Sequence, residues 1–306
     1  MTDFDRLLAQ TSRTFGISIP LLDEPHRHHL TLAYLLFRVA DTLEDAEQIP
    51  RKERLAALKS LRDTLFDGRV AQRVGVTETW CTWPVHHAGY AELLDEFPAL
   101  MATIDQLDQP TRMAILHHAG RTIEGMLRFV DSSDEDGSLR LETLSDLREY
   151  CYVVAGIVGE LITELLVTPR NDPQAEQLWE QAAAFGEGLQ LVNILRDARD
   201  DAQHGRIYLP ARVAIEEVFE LARADLRIGQ DYVDALRRRQ FGHGIVPFAE
   251  FPLRLAEKTL ERVEDEGTGA KLGRSEVAEL LLNIDGRLQS AEELPSSLRA
   301  HLPSEG

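Results

Sequence analysis

The sequence predicts an all-α fold, a single domain of helices arranged around a central cavity. Three observations carry this. Apolar residues recur at three- and four-residue steps nearly throughout, with no sustained period-two alternation and no Asn-Gly hairpin signal. No long linker divides the chain, and no repeat at a fixed spacing suggests a solenoid. The 306 residues are 43% hydrophobic, enough to bury a large core.

The elements follow in order. Arg27 to Ala46 reads as a helix, with Leu30, Ala33, Tyr34, Phe37 and Ala40 on one face. Pro50 marks a stop, and Arg51 to Phe66 forms a second helix ended by Asp67-Gly68. Residues 69–88, with Trp80, Trp83 and Pro84, read as irregular. Pro110 opens a helix running to about Val130, and Asp131 to Ser138 is an acidic loop. Leu144 to Val167 and Pro173 to Ala202 are long helices, followed by a loop over Gln203 to Pro210. Further helices are expected over Glu217–Arg239, Pro252–Asp265 and Ser275–Gln289. The core spans about residues 10–290, and 291–306 read as a flexible tail.

The longest apolar stretch, Tyr152 to Val167, is interrupted by Glu160 and Glu164. A membrane span needs about 20 apolar residues, so a buried helix and no transmembrane segment are expected. The N-terminus lacks an apolar signal core, and Cys81 and Cys151 give neither a disulfide framework nor zinc spacing. Both features suit a cytoplasmic protein. The net charge of −19 argues against a basic nucleic-acid footprint. It also means that an anionic substrate needs local arginines or metal ions. The adjacent histidines at 28/29, 86/87 and 117/118 point to different helix faces and suggest no metal site.

Two acidic signatures stand about 150 residues apart, Asp41-Thr-Leu-Glu-Asp45 and Asp197-Ala-Arg-Asp-Asp201. Aspartates four residues apart project from one helix face, roughly 6 Å apart at Cβ. Two such pairs facing each other across a cavity could hold several Mg²⁺ ions against a diphosphate. Spacing alone is weak evidence, because Asp63 and Asp67 share it at the end of an ordinary amphipathic helix. The neighbours decide. Tyr34, Arg38, Asp41 and Asp45 form one stripe, to which Glu44 adds an oxygen ligand suited to Mg²⁺. Gln190, Asn193, Asp197 and Asp201 form a polar stripe on an otherwise apolar helix, which suggests a cavity lining. Arg196 and Arg206 bracket the second pair, and Gly205 to Pro210 reads as a loop able to close over phosphate oxygens.

Five segments together resemble the squalene/phytoene synthase family. They are Ser12-Arg-Thr-Phe15, Tyr34 through Asp45, Glu124-Gly-Met126, Tyr150 through Gly159, and Gln190 through Pro210. The resemblance covers about residues 10–265. It implies an isoprenoid synthase fold that joins two prenyl diphosphates, farnesyl diphosphate being expected, head to head. By motif matching, Asp41, Glu44, Asp45, Asn193, Asp197 and Asp201 would bind Mg²⁺. Ser12, Arg13, Tyr34, Arg38, Gln190, Arg196 and Arg206 would hold diphosphate, and Arg13, Arg38 and Arg196 would also serve the phosphates of NADPH. Tyr150 would sit beside the reacting carbons, stabilising a cation with its ring face or assisting proton removal. Gly156 and Gly159 allow close packing or leave room for a chain.

The family divides by product. The Asp-Thr-Leu-Glu-Asp form of the first motif looks more like squalene synthases, which reduce presqualene diphosphate with NADPH. The Asn-Ile-Leu-Arg-Asp form is shared with phytoene synthases and does not discriminate. The leading expectation is a squalene synthase of the bacterial type without a membrane anchor. Dehydrosqualene, phytoene and presqualene diphosphate synthases remain alternatives, and a non-catalytic assembly factor is a more distant one. A water-insoluble product makes peripheral contact with the inner membrane face plausible.

Overall fold

The computed structural model describes residues 2–46, 48–66, 70–85, 87–134, 138–167, 175–241 and 244–284. Asp67-Gly68, His86, the centre of the acidic 131–138 loop, the helix start at Pro173 and the tail beyond 284 lie outside the described residues.

The architecture is all-α, as the periodicity predicts. Short helices α1 (Phe4–Thr11) and α2 (Phe15–Ser18) precede α3 (His26–Glu44), α4 (Arg51–Leu65), α5 (Val70–Trp80), α6 (Ala88–Asp95) and α7 (Phe97–Ile104). Next come α8 (Gln109–Ser132), α9 (Leu144–Cys151), α10 (Ile157–Val167), α11 (Glu176–Gln203), α12 (Ile215–Arg238), α13 (Ile245–Glu266) and α14 (Arg274–Ile284). Local chemistry sets several starts. The Asp108 carboxylate accepts from the Thr111 N–H at 3.1 Å to cap α8, with Pro110 in its first turn. Thr143 and Asp146 form a reciprocal capping box on α9.

Three expectations are corrected. Residues 69–88 are not wholly irregular, since α5 forms there and sends Trp80, 1% exposed, into the core. Pro252 does not start a helix but lies inside α13, whose apolar face (Phe248, Phe251, Leu253) stays buried on both sides of it. Tertiary burial thus outweighs the lost backbone bond. The acidic 131–138 segment is not loop from its start, because α8 continues to Ser132.

The Leu144–Val167 segment is continuous but contains a π turn over Tyr152–Gly156. By length and composition it could cross a membrane, yet 67% of its most apolar window is buried in the protein. It packs on α11 and α8 as a core helix. Its glycines permit the closest approach in the fold. A Cβ on Gly159 would stand 2.0 Å from the Ala182 carbonyl oxygen, and one on Gly186 of α11 would stand 2.0 Å from that of Ala155. Of the two readings of Gly159, close packing is the one realised.

α11 runs through the centre of the bundle, against α10, α12 and α13, while α3 packs on α8 and α1. Two short strands, β1 (Leu139–Arg140) and β2 (Arg206–Ile207), pair in parallel. They fasten the loop after α11 to the segment between α8 and α9, and so bring the second acidic motif's loop over the end of α3.

Candidate active site

The first motif occupies the C-terminal end of α3. Glu44 is the helix's last residue, and Asp45 caps it, its N–H donating to the Asp41 carbonyl at 2.8 Å. One and two turns earlier stand Arg38 and Tyr34. Arg38 donates through Nε and Nη2 to the Tyr34 hydroxyl at 3.1 and 2.9 Å, and that hydroxyl donates to the Thr11 carbonyl at 2.8 Å. The guanidinium also stacks near the Tyr34 and Tyr90 rings, 5.4 and 5.5 Å from their centroids, and lies 3.3 Å from Asp41. Arg38 is therefore held in one orientation by two rings, a hydroxyl and a carboxylate.

The second motif lies on the last turns of α11. Arg196 grips Asp197 with two bonds, from Nε at 2.8 Å and Nη2 at 2.5 Å. Asn193 and Gln190 face each other along the same stripe, with Nδ2 to Oε1 at 3.5 Å.

An ion pair joins the two motifs. Arg206 on β2 donates from Nη1 to Asp45 Oδ1 at 2.6 Å, a bridge between the loop after α11 and the end of α3. The electrostatics agree that the two walls face each other. Burial pushes the Asp201 carboxyl up to about 6, Arg206 opposes this, and Asp197 and Asp45 reinforce it. Burial likewise pushes Asp41 up to about 6, against Arg38 and with help from Asp45. Glu44, 8% exposed, is driven well above the usual range by burial and then by Asp45 and Asp41. Carboxylates perturbed together in this way mark a candidate functional site.

Beneath them lies an aromatic floor. Tyr150 donates its O–H to the Tyr208 hydroxyl at 2.9 Å, the two rings stack at 4.6 Å, and Phe129 meets Tyr150 edge-on at 5.1 Å. Both phenols are raised above their ordinary range, first by burial and then by the negative charge of Glu44. Glu44, Asp45, Arg206, Tyr208, Phe129 and Ser133 line part of one narrow cleft.

The fold thus gathers Asp41, Glu44, Asp45, Asp201, Arg206 and Tyr150 into one neighbourhood. Asp197 and Arg196 stand along the same helix as Asp201. Ser12 lies at the edge, its Oγ accepting from the Phe15 N–H at 3.0 Å. Arg13 is exposed and, among the described residues, makes no ion pair. Donor chemistry suits Mg²⁺, with carboxylates and one amide oxygen. Among the described residues, however, no three His, Cys, Asp or Glu side chains converge on one point. Each ion would therefore take one or two protein oxygens and complete its shell with water and phosphate, which is the habit of Mg²⁺. Sequence reasoning missed Tyr208, Tyr90, Phe129 and Arg54. Tyr208 was within reach, lying inside the Gly205–Pro210 segment. Tyr90, Phe129 and Arg54 have no spacing signal, because they belong to other helices.

A family model described as squalene/phytoene synthase matches residues 8–217. The chain is 27% identical over 210 residues to a squalene synthase of Schizosaccharomyces pombe, covering 68% of this chain and 44% of that protein. It is 29% identical over 209 residues to a squalene synthase of Mus musculus, covering 68% and 46%. The matched region thus spans less than half the length of these relatives. Among solved structures, the complex of TcSQS with the ligand E5700 superposes with a TM-score of 0.74 at 22% identity, covering 98% of this chain and 95% of that one. A ligand-bound dehydrosqualene synthase gives 0.59 at 19% identity, covering 94% and 95%.

Proposed function

The chain belongs to the squalene/phytoene synthase family, and on that premise we propose that it is a squalene synthase. It would condense two farnesyl diphosphates head to head to presqualene diphosphate and reduce that product with NADPH. The observation that carries the reading is the Arg206–Asp45 bridge at 2.6 Å, which ties the loop after the second acidic motif to the end of the first.

Asp41, Glu44 and Asp45 on one wall, and Asn193, Asp197 and Asp201 on the other, would hold Mg²⁺. Bound there, Mg²⁺ supplies Lewis-acid neutralisation of the charge on the departing diphosphate. Arg13, Arg38 and Arg196 would meet the phosphates of NADPH in part, and NADPH would supply the hydride to the cation left when presqualene diphosphate loses its diphosphate with the C–O electron pair. Ser12, Arg13, Tyr34, Arg38, Gln190, Arg196 and Arg206 grip diphosphate oxygens, the arginines through forked donors. The allylic C–O bond breaks with its electron pair leaving on the diphosphate. The second farnesyl chain captures the cation, and a proton is lost. Apolar walls exclude the water that would quench the cation. Tyr150 already donates its proton to Tyr208 and is buried. That favours a ring-face role in stabilising the cation over a role as base, and leaves diphosphate as the proton acceptor. A water-insoluble product favours peripheral contact with the inner membrane face for release.

The test is product analysis with farnesyl diphosphate and Mg²⁺, with and without NADPH. Squalene formed only with NADPH is the expected result. Dehydrosqualene formed regardless of NADPH refutes the reductive half, and no consumption of farnesyl diphosphate refutes the whole proposal.

A further inference from the structure

The buried face of α4 is built from Ala57, Leu58, Leu61 and Leu65, yet Arg54 stands in the same face, only 5% exposed. A guanidinium removed from water is costly unless it is bonded and its charge is balanced. Arg54 Nη1 donates to the backbone carbonyl of Glu44 at 2.8 Å, and its side chain borders the same cleft as Glu44, Asp45 and Arg206.

That carbonyl is at an unusual helix end. α3 closes on Glu44 and Asp45, with Asp41 one turn earlier, and its last turn contains no basic residue. A helix C-terminus already presents unsatisfied carbonyls and partial negative charge. Three carboxylates there repel one another and the helix dipole. The compensating cations come from other elements. Arg206 bonds the Asp45 carboxylate from β2, and Arg54 bonds the backbone from α4. Arg51, one turn earlier on α4, does something different. Its Nη1 donates to the carbonyls of Ser133 at 2.6 Å and Asp131 at 3.2 Å, which ties α4 to the end of α8 instead.

We infer that Arg54 is a positioning residue for the cation site, capping α3 from behind and fixing the turn that carries Glu44 and Asp45. This rests on the proposed metal role of those carboxylates. Arg54 would touch neither ion nor substrate. Its effect resembles that of outer-shell partners whose removal weakens metal binding by about 10–100-fold. A guanidinium suits the position because its fork can bond the carbonyl while its charge faces the carboxylates.

The experiment uses the full chain without substrate. Mn²⁺ stands in for Mg²⁺, and free Mn²⁺ is read by electron paramagnetic resonance. Arg54→Gln is expected to bind Mn²⁺ about tenfold more weakly than wild type. Arg54→Lys, which keeps the charge and loses the fork, is expected to fall between the two. Arg51→Gln should lower the melting temperature and leave Mn²⁺ affinity unchanged. If Arg54→Gln does not fold, Arg54→Lys carries the test. Wild-type affinity in either folded Arg54 variant overturns the inference. So does an equal loss in Arg51→Gln, which would make the effect general destabilisation. Asp45→Asn separates the two levels. If wild type binds Mn²⁺ no better than Asp45→Asn, the metal reading itself fails. If Asp45→Asn loses binding while Arg54→Gln keeps it, only the role of Arg54 fails.

Discussion

Removing the charge of Glu187 should stabilise the protein, and only above acid pH. Glu187 on α11 is 7% exposed and Asp225 on α12 is 3% exposed. The nearest cation recorded for Glu187 is Arg148, its Nη2 at 4.0 Å and its side chain 54% exposed. Among the described residues, Asp225 Oδ2 has no hydrogen-bond partner. Burial, reinforced by Asp225 and opposed by Arg148, pushes the Glu187 carboxyl from 4.5 to about 7. The sign follows from proton uptake. Between 4.5 and about 7 the native state holds more protons than the unfolded chain, so stability falls as pH rises through that window. Below it the carboxyl costs nothing extra. Above it the cost is at most about 3 kcal/mol at 1.36 kcal/mol per tenfold, lessened by the solvent that screens the group. Glu187→Gln keeps the shape, abolishes the charge and offers an amide donor beside an orphan acceptor. Thermal unfolding at pH 5 and pH 8 measures the difference. For a chain of this size the gain at pH 8 is at most roughly 5 °C, with little or none at pH 5. A variant no more stabilised at pH 8 than at pH 5 would refute the argument that Glu187 ionises at a buried site.

Three further outcomes are expected. Gly186→Ala puts a methyl group 2.0 Å from the Ala155 carbonyl oxygen, so α11 and the π turn before α10 must separate. The loss is about 3 kcal/mol, read by urea denaturation, and a neutral result contradicts the close crossing. Tyr208→Phe strips the acceptor from the buried Tyr150 hydroxyl and should cost about 1–3 kcal/mol. A double cycle with Tyr150→Phe should recover most of that cost as coupling. Asp45→Asn and Asp197→Asn should each abolish farnesyl diphosphate consumption with helicity intact by circular dichroism. Unchanged turnover in either would sink the metal assignment.

What the sequence made legible was whatever repeats along a single helix. The Tyr34–Arg38–Asp41–Asp45 stripe is a matter of helical spacing, and the structure keeps it on one face. Gln190, Asn193, Asp197 and Asp201 were readable on α11 for the same reason. Contacts between elements were not. Arg38 lies near the Tyr90 ring from α6, and Tyr150 on α9 bonds Tyr208, which follows β2. Neither has a local signature. α5 was missed because its aromatic and glycine content resembles loop composition, and tertiary burial of Trp80 decides its state. Pro252 misled for a related reason. A proline usually marks a helix start, but burial of the residues on both sides keeps α13 continuous through it.

On the proposed function, the charge pattern bears on how an acidic chain would take an anionic substrate. Among the described residues, three of the motif arginines already face a motif aspartate, and Arg13 does not. Arg38 lies 3.3 Å from Asp41, Arg196 2.5 Å from Asp197 and Arg206 2.6 Å from Asp45. These three pairs cancel, so the arginines alone give a diphosphate direction but little net attraction. Glu44 and Asp201 remain as the surplus, and both are raised by burial. Attraction must therefore come from added cations. A divalent ion on an aspartate also removes the partner that holds the arginine, which frees its fork for phosphate oxygens. On that reading, the carboxylates that repel a bare diphosphate would make its recognition depend on metal.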